Sequence, residues 1–191
     1  MTSPLHSAAI STASLPIGVS LLPLHEQNDG PVRTTQIYRR EWPMEAVPVQ
    51  WNLVNTGANT LRGVHVHTRH WDYLVVVSGE MLIGLHDMRP GSVTYRQTAQ
   101  RRLNGGSPCS IAIPPGVAHG FCFTSAATYF YAVSHYWDPS DEFGCRWDDP
   151  DLGFAWPIAD PLLSLRDAAA SDYGDLTRAV AAALDRAAER S

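Results

Sequence analysis

Between roughly residues 17 and 150 the chain alternates short apolar runs with Gly, Pro, Asn and Asp. The run Tyr73-Leu74-Val75-Val76-Val77 is apolar throughout, which predicts a buried strand. Ser78-Gly79-Glu80 reads as a turn, and residues 81–85 as the returning strand. Residues 93–98 alternate and predict another. Residues 110–113 form a short strand stopped by Pro114-Pro115-Gly116, and residues 119–123 and 128–134 continue the pattern. Many short strands joined by turns indicate a sandwich, jelly roll or barrel. The pattern changes at the C-terminus. Leu176, Val180 and Leu184 recur every fourth residue within residues 172–190, the signature of an amphipathic helix that covers the barrel or one of its edges. Residues 1–16 are small and polar without periodicity, a loose tail ahead of a single domain over residues 17–191.

Composition narrows the function classes. Apolar residues make up 45% and charged residues 17% of 191, as in an ordinary globular chain. The net charge of −5 supplies no basic patch for nucleic acid. No apolar run is long enough to span a membrane, and no secretory leader is evident, so the expected compartment is the cytoplasm. The three cysteines, Cys109, Cys122 and Cys145, have no CxxC spacing and suggest neither a disulfide framework nor a zinc knuckle. All 14 basic residues are arginine. Schiff-base chemistry and lysine bases are therefore excluded, whereas arginine's planar fork suits phosphate.

The candidate chemistry clusters on strand-like segments. His65 and His67 are two apart and share a face if they lie on a strand. His119 follows Pro114-Pro115-Gly116, so a tight turn delivers it to a strand. Tyr129 and Tyr131 share one face, with Phe130 on the other. A lone barrel histidine is ordinarily hydrogen-bonded core. His65, His67, His119 and Tyr131, all at interior-compatible positions, point instead to a cavity. A base on one wall and an acid on the other suit removal of a proton beside a carbonyl and its return from the opposite face. A carboxylate behind the imidazole would fix its tautomer, and Asp167 is a candidate.

These residues fall in ordered motifs. Leu61-Arg62-Gly63-Val64-His65 is followed by Ile113-Pro114-Pro115-Gly116-Val117-Ala118-His119-Gly120-Phe121. Arg146-Trp147-Asp148-Asp149-Pro150-Asp151-Leu152-Gly153, Trp156-Pro157 and Leu163-Ser164-Leu165-Arg166-Asp167 come next. Over roughly residues 48–170 the chain resembles the dTDP-4-dehydrorhamnose 3,5-epimerase family. The resemblance implies an all-β, cupin-type jelly roll (a double-stranded β-helix), a homodimer, and a dTDP-linked keto-sugar substrate. It gives His65 the role of base, Asp167 that of its partner and Tyr131 that of acid. Gln50, Asn52, Arg62 and His119 match positions that hold sugar or phosphate. Trp137 matches an aromatic that stacks on thymine, and Glu142 and Arg166 match other nucleotide contacts.

The chain also departs from that family. Seven residues before Gly79, where the family carries a lysine that steadies the enolate oxygen, stands Asp72. Losing such a donor ordinarily costs ~10²–10³ in rate. The residue two after the base is His67 rather than glutamine, and no Arg-Gly phosphate motif is found near Asp29-Gly30. His65-x-His67, four residues, Asp72, six residues, Gly79, together with Pro114-x-Gly116-x-x-His119, follow the metal motifs of cupins. Two expectations stand. In the first, no cofactor is used, and His67, His70 or an arginine does the work of the lysine. In the second, a divalent metal is bound by His65, His67, Asp72 and His119. A ligated His65 has no free lone pair to act as base, which makes the metal-free arrangement the primary expectation. The corresponding functions are epimerisation at C3, C5 or both of a dTDP-4-keto-6-deoxyhexose, other metal-dependent cupin chemistry, or nucleotide-sugar binding without catalysis.

Overall fold

A computed structural model describes residues 14–42, 45 and 47–188. Residues 1–13 of the expected tail, and 189–190 of the expected helix, lie outside the described residues. Among the described residues, twelve strands run in order β1 (Ser20–Pro23), β2 (Glu26–Asp29), β3 (Val32–Thr35), β4 (Gln50–Thr56), β5 (Thr60–Val66) and β6 (Asp72–Ser78). There follow β7 (Glu80–Asp87), β8 (Thr98–Asn104), β9 (Cys109–Ile113), β10 (Val117–Phe123), β11 (Ala127–Val133) and β12 (Phe143–Gly144). Two helices follow, α1 (Leu165–Ala168) and α2 (Tyr173–Ala188). One five-stranded sheet is ordered β1-β9-β6-β11-β4, a second β12-β5-β10-β7-β8, and β2-β3 form a separate hairpin. The two sheets face one another as a jelly roll.

Leu74, Val76, Met81, Ile83, Leu85, Ile111, Phe123 and Tyr129 are buried together between the sheets. Each such side chain contributes about 1.5–3 kcal/mol by leaving water. The apolar run of residues 73–77 lies in β6. Leu74 and Val76 face this interior. Tyr73 and Val75 face outward, under Ile37, Tyr38 and Trp42 of the N-terminal segment. Burial on both faces is why four of its successive positions are apolar; Val77, at the end of the run, is exposed. At the turn into β7, Gly79 has φ +75°, and a Cβ there would lie 2.4 Å from the Ala126 carbonyl oxygen, so only glycine fits.

The helix α2 packs Tyr173, Leu176 and Val180 on Val64, Val66, Ala118 and Cys145, covering the outer face of the second sheet. Asp172 starts it, its Oδ1 accepting from the Asp175 amide at 2.8 Å. One expected strand is absent. Residues 93–96 form a turn, and β8 begins at Thr98. The alternating pattern there has another cause: Ser92 and Thr94 donate their hydroxyls to Asp87 Oδ2 at 2.7 and 2.6 Å. Arg89 adds donations to both oxygens at 2.8 Å. The buried Asp87 carboxylate thus organises the turn, and these donors, set against the cost of its burial, hold its pKa down at about 2. None of the described helices is long and apolar enough to cross a membrane.

Candidate active site

Gly63 sets the geometry of the site. A regular strand would place Arg62 and His65 on opposite faces. Along β10, however, Arg62 pairs with Phe121 and His65 with His119, so β5 carries one residue more than its partner between the two pairs. This bulge turns Arg62 and His65 into the same cavity. Gly63 has φ +107°, and a Cβ there would stand 2.8 Å from the His119 carbonyl oxygen. The glycine of the Leu61–His65 motif is thus what allows His65 and Arg62 to share a wall.

The cavity opens at one end of the barrel and measures about 190 Å³. That is below the roughly 300–1,000 Å³ of full small-molecule pockets, so it holds part of a ligand and leaves the rest at the mouth. On one wall, His65 Nε2 lies 2.6 Å from Asp167 Oδ1. Asp167 reaches it because Leu61 and Leu162 bond across the barrel rim, which sets the short helix α1 beside β5. Ser164 caps α1, its Oγ accepting from the Asp167 amide at 3.1 Å. Asp167 is buried rather than solvated. Burial alone would raise its pKa, but the hydrogen bond and charge of His65 hold it below the usual carboxylate range. Arg166 NH2 lies 2.8 Å from His65 Nδ1, and its guanidinium pairs with Glu142.

Tyr129 and Tyr131 come from the facing sheet, as the alternation in β11 requires. Arg62 donates to the Tyr129 hydroxyl at 2.6 Å. Burial pushes the pKa of Tyr131 up, keeping it a protonated phenol near neutrality. Trp137 sits at the mouth, 55% exposed, which rules out a core role. Its indole donates to Glu142 Oε1 at 3.1 Å, and its amide donates to Gln50 Oε1 at 3.1 Å.

The floor is different. His67, His70, Asp72 and His119 line it, all buried. Asp72 Oδ2 lies 3.8 Å from Nε2 of each of the three histidines. Burial, aided by Glu142 and Asp141 and opposed by His67, pushes the Asp72 carboxyl up to about 7. Burial and its histidine neighbours hold the His119 pKa well below the ordinary value, so this ring is neutral.

The cavity therefore gathers Arg62, His65, His67, Asp72, His119, Tyr131, Trp137, Glu142, Arg166 and Asp167 of the expected site. Two expected contacts are not among its lining: Gln50 and Asn52 stand on the edge strand β4, beyond Tyr131 of β11. Gln50 instead holds Trp137, and the Asn52 side-chain nitrogen is buried without a partner among the described residues. The expected metal set also changes. His65 is committed to Asp167, and His70 stands in its place around Asp72. Sequence reasoning missed Tyr129 as the partner of Arg62, and Asp141 as the anchor of His67 and His70. Tyr129 was recoverable from its two-residue spacing to Tyr131. Asp141 carried no signal, because its partners are some seventy residues away.

The chain is a jelly roll of the cupin type, and its cavity sets a histidine–carboxylate pair and a phenol on facing walls. Comparison with known proteins agrees. The profile of the dTDP-4-dehydrorhamnose 3,5-epimerase family matches residues 30–175, and the chain belongs to that family. A dTDP-4-dehydrorhamnose 3,5-epimerase of Neisseria gonorrhoeae is 34% identical over 163 residues, covering 81% of this chain and 50% of the relative. The chain thus spans about half the length of that relative. A dTDP-4-dehydrorhamnose 3-epimerase of Streptomyces niveus is 36% identical over 122 residues, covering 62% of this chain and 59% of that protein. Among solved structures, a 3′-monoepimerase of Streptomyces bikiniensis in complex with dTDP-quinovose superposes with TM-score 0.77 at 27% identity, covering 90% of this chain and 91% of that one.

Proposed function

We propose that this chain epimerises a dTDP-4-keto-6-deoxyhexose at C3, C5 or both. The observation that carries the reading is the 2.6 Å bond between His65 and Asp167, in a cavity whose facing wall presents Tyr131. His65 takes the proton α to the C4 carbonyl. The C–H electron pair becomes the enolate C=C bond and the carbonyl π pair moves to oxygen. Asp167, ionised because it is held low, orients the imidazole and supports the imidazolium that forms. Tyr131 returns a proton from the opposite face, which inverts the centre.

The cavity's small volume confines it to the sugar and leaves the nucleotide outside. Trp137, exposed at the mouth, offers the largest π-face for the thymine ring. Arg62 and Arg166 supply charge for the diphosphate. Arg166 also covers a ring nitrogen of His65 in this structure, so a diphosphate that draws its guanidinium away uncovers the base. A homodimer is part of the same reading; exposed Val47, Val49, Trp51 and Leu53, on and beside β4, are available to pack against a second copy.

The test is deuterium wash-in. The dTDP-4-keto-6-deoxy sugar is incubated with the protein in D2O and followed by NMR. Exchange at C3, C5 or both supports the reading and assigns the reacting carbon. Binding of the nucleotide sugar with no exchange at either carbon would overturn it, leaving a non-catalytic binding protein.

A further inference from the structure

We propose that His67, Asp72 and His119 form a divalent transition-metal site on the floor of the cavity, supported by His70. Three independent features of the floor carry it.

The first is convergence. The ligand atoms of His67, Asp72 and His119 all lie within 4.8 Å of one another. Each of the two Nε2 atoms stands 3.8 Å from Asp72 Oδ2, too far for a hydrogen bond. A tetrahedral ion with ~2.1 Å bonds separates its ligand atoms by about 3.4 Å. An ion at the centre therefore draws these groups together by only ~0.4 Å at Asp72.

The second is the orientation of each imidazole. His119 Nδ1 faces the Val117 carbonyl at 3.1 Å, and His67 Nδ1 faces the Asp141 carbonyl at 3.2 Å. A carbonyl oxygen only accepts, so each Nδ1 carries a hydrogen, and Nε2 is the ring nitrogen turned towards Asp72. His70 repeats the pattern, with Nδ1 3.1 Å from Asp141 Oδ2 and Nε2 facing Asp72. Metal-bound histidines are held in the same way, by an acceptor on the far ring nitrogen. Asp141 is itself fixed, its Oδ1 accepting from the Thr68 amide at 2.9 Å and the Thr68 hydroxyl at 2.7 Å.

The third is charge. Asp72 is a carboxyl group only 6% exposed, and none of the three Nε2 atoms turned towards it comes within hydrogen-bond distance. Such a group is costly to bury unless it is countered. A divalent ion supplies the missing charge. Two histidines and one carboxylate also leave further coordination positions open to the cavity, as catalytic rather than structural sites do. The objection that a ligated His65 cannot act as a base no longer applies, because the structure gives His65 to Asp167 and leaves it outside the ligand set.

Within the proposed epimerase reading, on which this step rests, an ion here would hold the ketone oxygen of the substrate as a Lewis acid. The proton would still pass to His65.

The test uses the whole chain. Protein freed of metal by chelation and dialysis is titrated with Zn²⁺ and, separately, Co²⁺, with metal content and the visible spectrum of the Co²⁺ form as readouts. About one equivalent per chain is expected. His67→Ala and Asp72→Asn should each weaken binding at least 100-fold, while His65→Ala keeps both stoichiometry and spectrum. Circular dichroism of each variant separates loss of a ligand from loss of the fold. Failure to bind either ion, or binding that His67→Ala and Asp72→Asn leave unchanged, overturns the proposal. Deuterium exchange in the chelated protein separates the two readings. Exchange that survives chelation in a protein that binds no metal removes the ion but keeps the epimerase. Stoichiometric metal without exchange keeps the ion and removes the epimerase.

Discussion

Two walls of one cavity use histidine in opposite ways. At the rim, His65 is tied to a carboxylate whose pKa is held below the usual range, the arrangement on which its proposed role as base rests. At the floor, His67, His70 and His119 give their Nδ1 atoms to acceptors and turn their Nε2 atoms to one carboxylate oxygen that none of them reaches. In the proposed account the same side chain is a proton carrier in the first setting and a metal ligand in the second. What decides is where the carboxylate sits: behind the ring at Asp167, in front of three rings at Asp72.

Substitutions can break this comparison at several depths. Apart from His65 itself, the largest effect belongs to Asp167→Asn, which removes the charge behind the base. Deuterium exchange should fall by about 10²–10⁴, with nucleotide binding unchanged by calorimetry. Tyr131→Phe separates the two proton steps. Solvent deuterium should still enter through His65, while net inversion, read by NMR of the product, falls ~10²-fold or more. A fall in exchange as large as the fall in inversion would mean that Tyr131 helps to remove the proton. Trp137→Ala acts only at the mouth: KM should rise about 10-fold for a lost stacking contact worth ~1–1.5 kcal/mol, with kcat nearly unchanged.

The smallest effect on turnover is expected far from the cavity, at the Asp87 turn. Its carboxyl is held at about 2, below the ordinary value of roughly 3.9. A depressed carboxyl stabilises the fold above the unfolded value and loses that stabilisation as pH falls towards its folded value. Asp87→Asn should therefore cost about 2 kcal/mol at pH 7, with a gap to wild type that narrows between roughly pH 4 and pH 2 in chemical denaturation. A gap independent of pH would show that packing, not charge, sets the contribution of Asp87.

Much of the rim was legible in the sequence, because its residues fall in compact motifs. Leu61–His65, the segment ending at His119, and Leu163–Asp167 each carry a functional side chain at a fixed offset from a turn or cap. The hairpin β6–β7 was equally plain, since an unbroken apolar run followed by Ser78-Gly79-Glu80 admits few alternatives. Other elements were hidden for physical reasons. The β4 edge strand, Gln50–Thr56, mixes polar and apolar residues with its outward side chains exposed, and gave no strand signal. Residues 93–98 alternated because Ser92 and Thr94 serve a buried carboxylate, a cause that periodicity does not distinguish from a strand. The bulge at Gly63, which puts Arg62 and His65 on one wall, appears only once β5 is paired with β10. The floor shows the limit most clearly. The spacing of His67, Asp72 and His119 suggested that they meet, but the replacement of His65 by His70 depended on Asp141, which arrives from a distant turn.

The central claim is that His65 moves the proton while the floor histidines do not. It is tested most directly by His65→Ala and His67→Ala in parallel, each incubated with the dTDP-4-keto-6-deoxy sugar in D2O and followed by NMR at C3 and C5. The account expects His65→Ala to abolish exchange while retaining nucleotide binding, and His67→Ala to slow exchange without abolishing it. Exchange that persists in His65→Ala and disappears in His67→Ala would contradict it, and would place the base on the floor of the cavity.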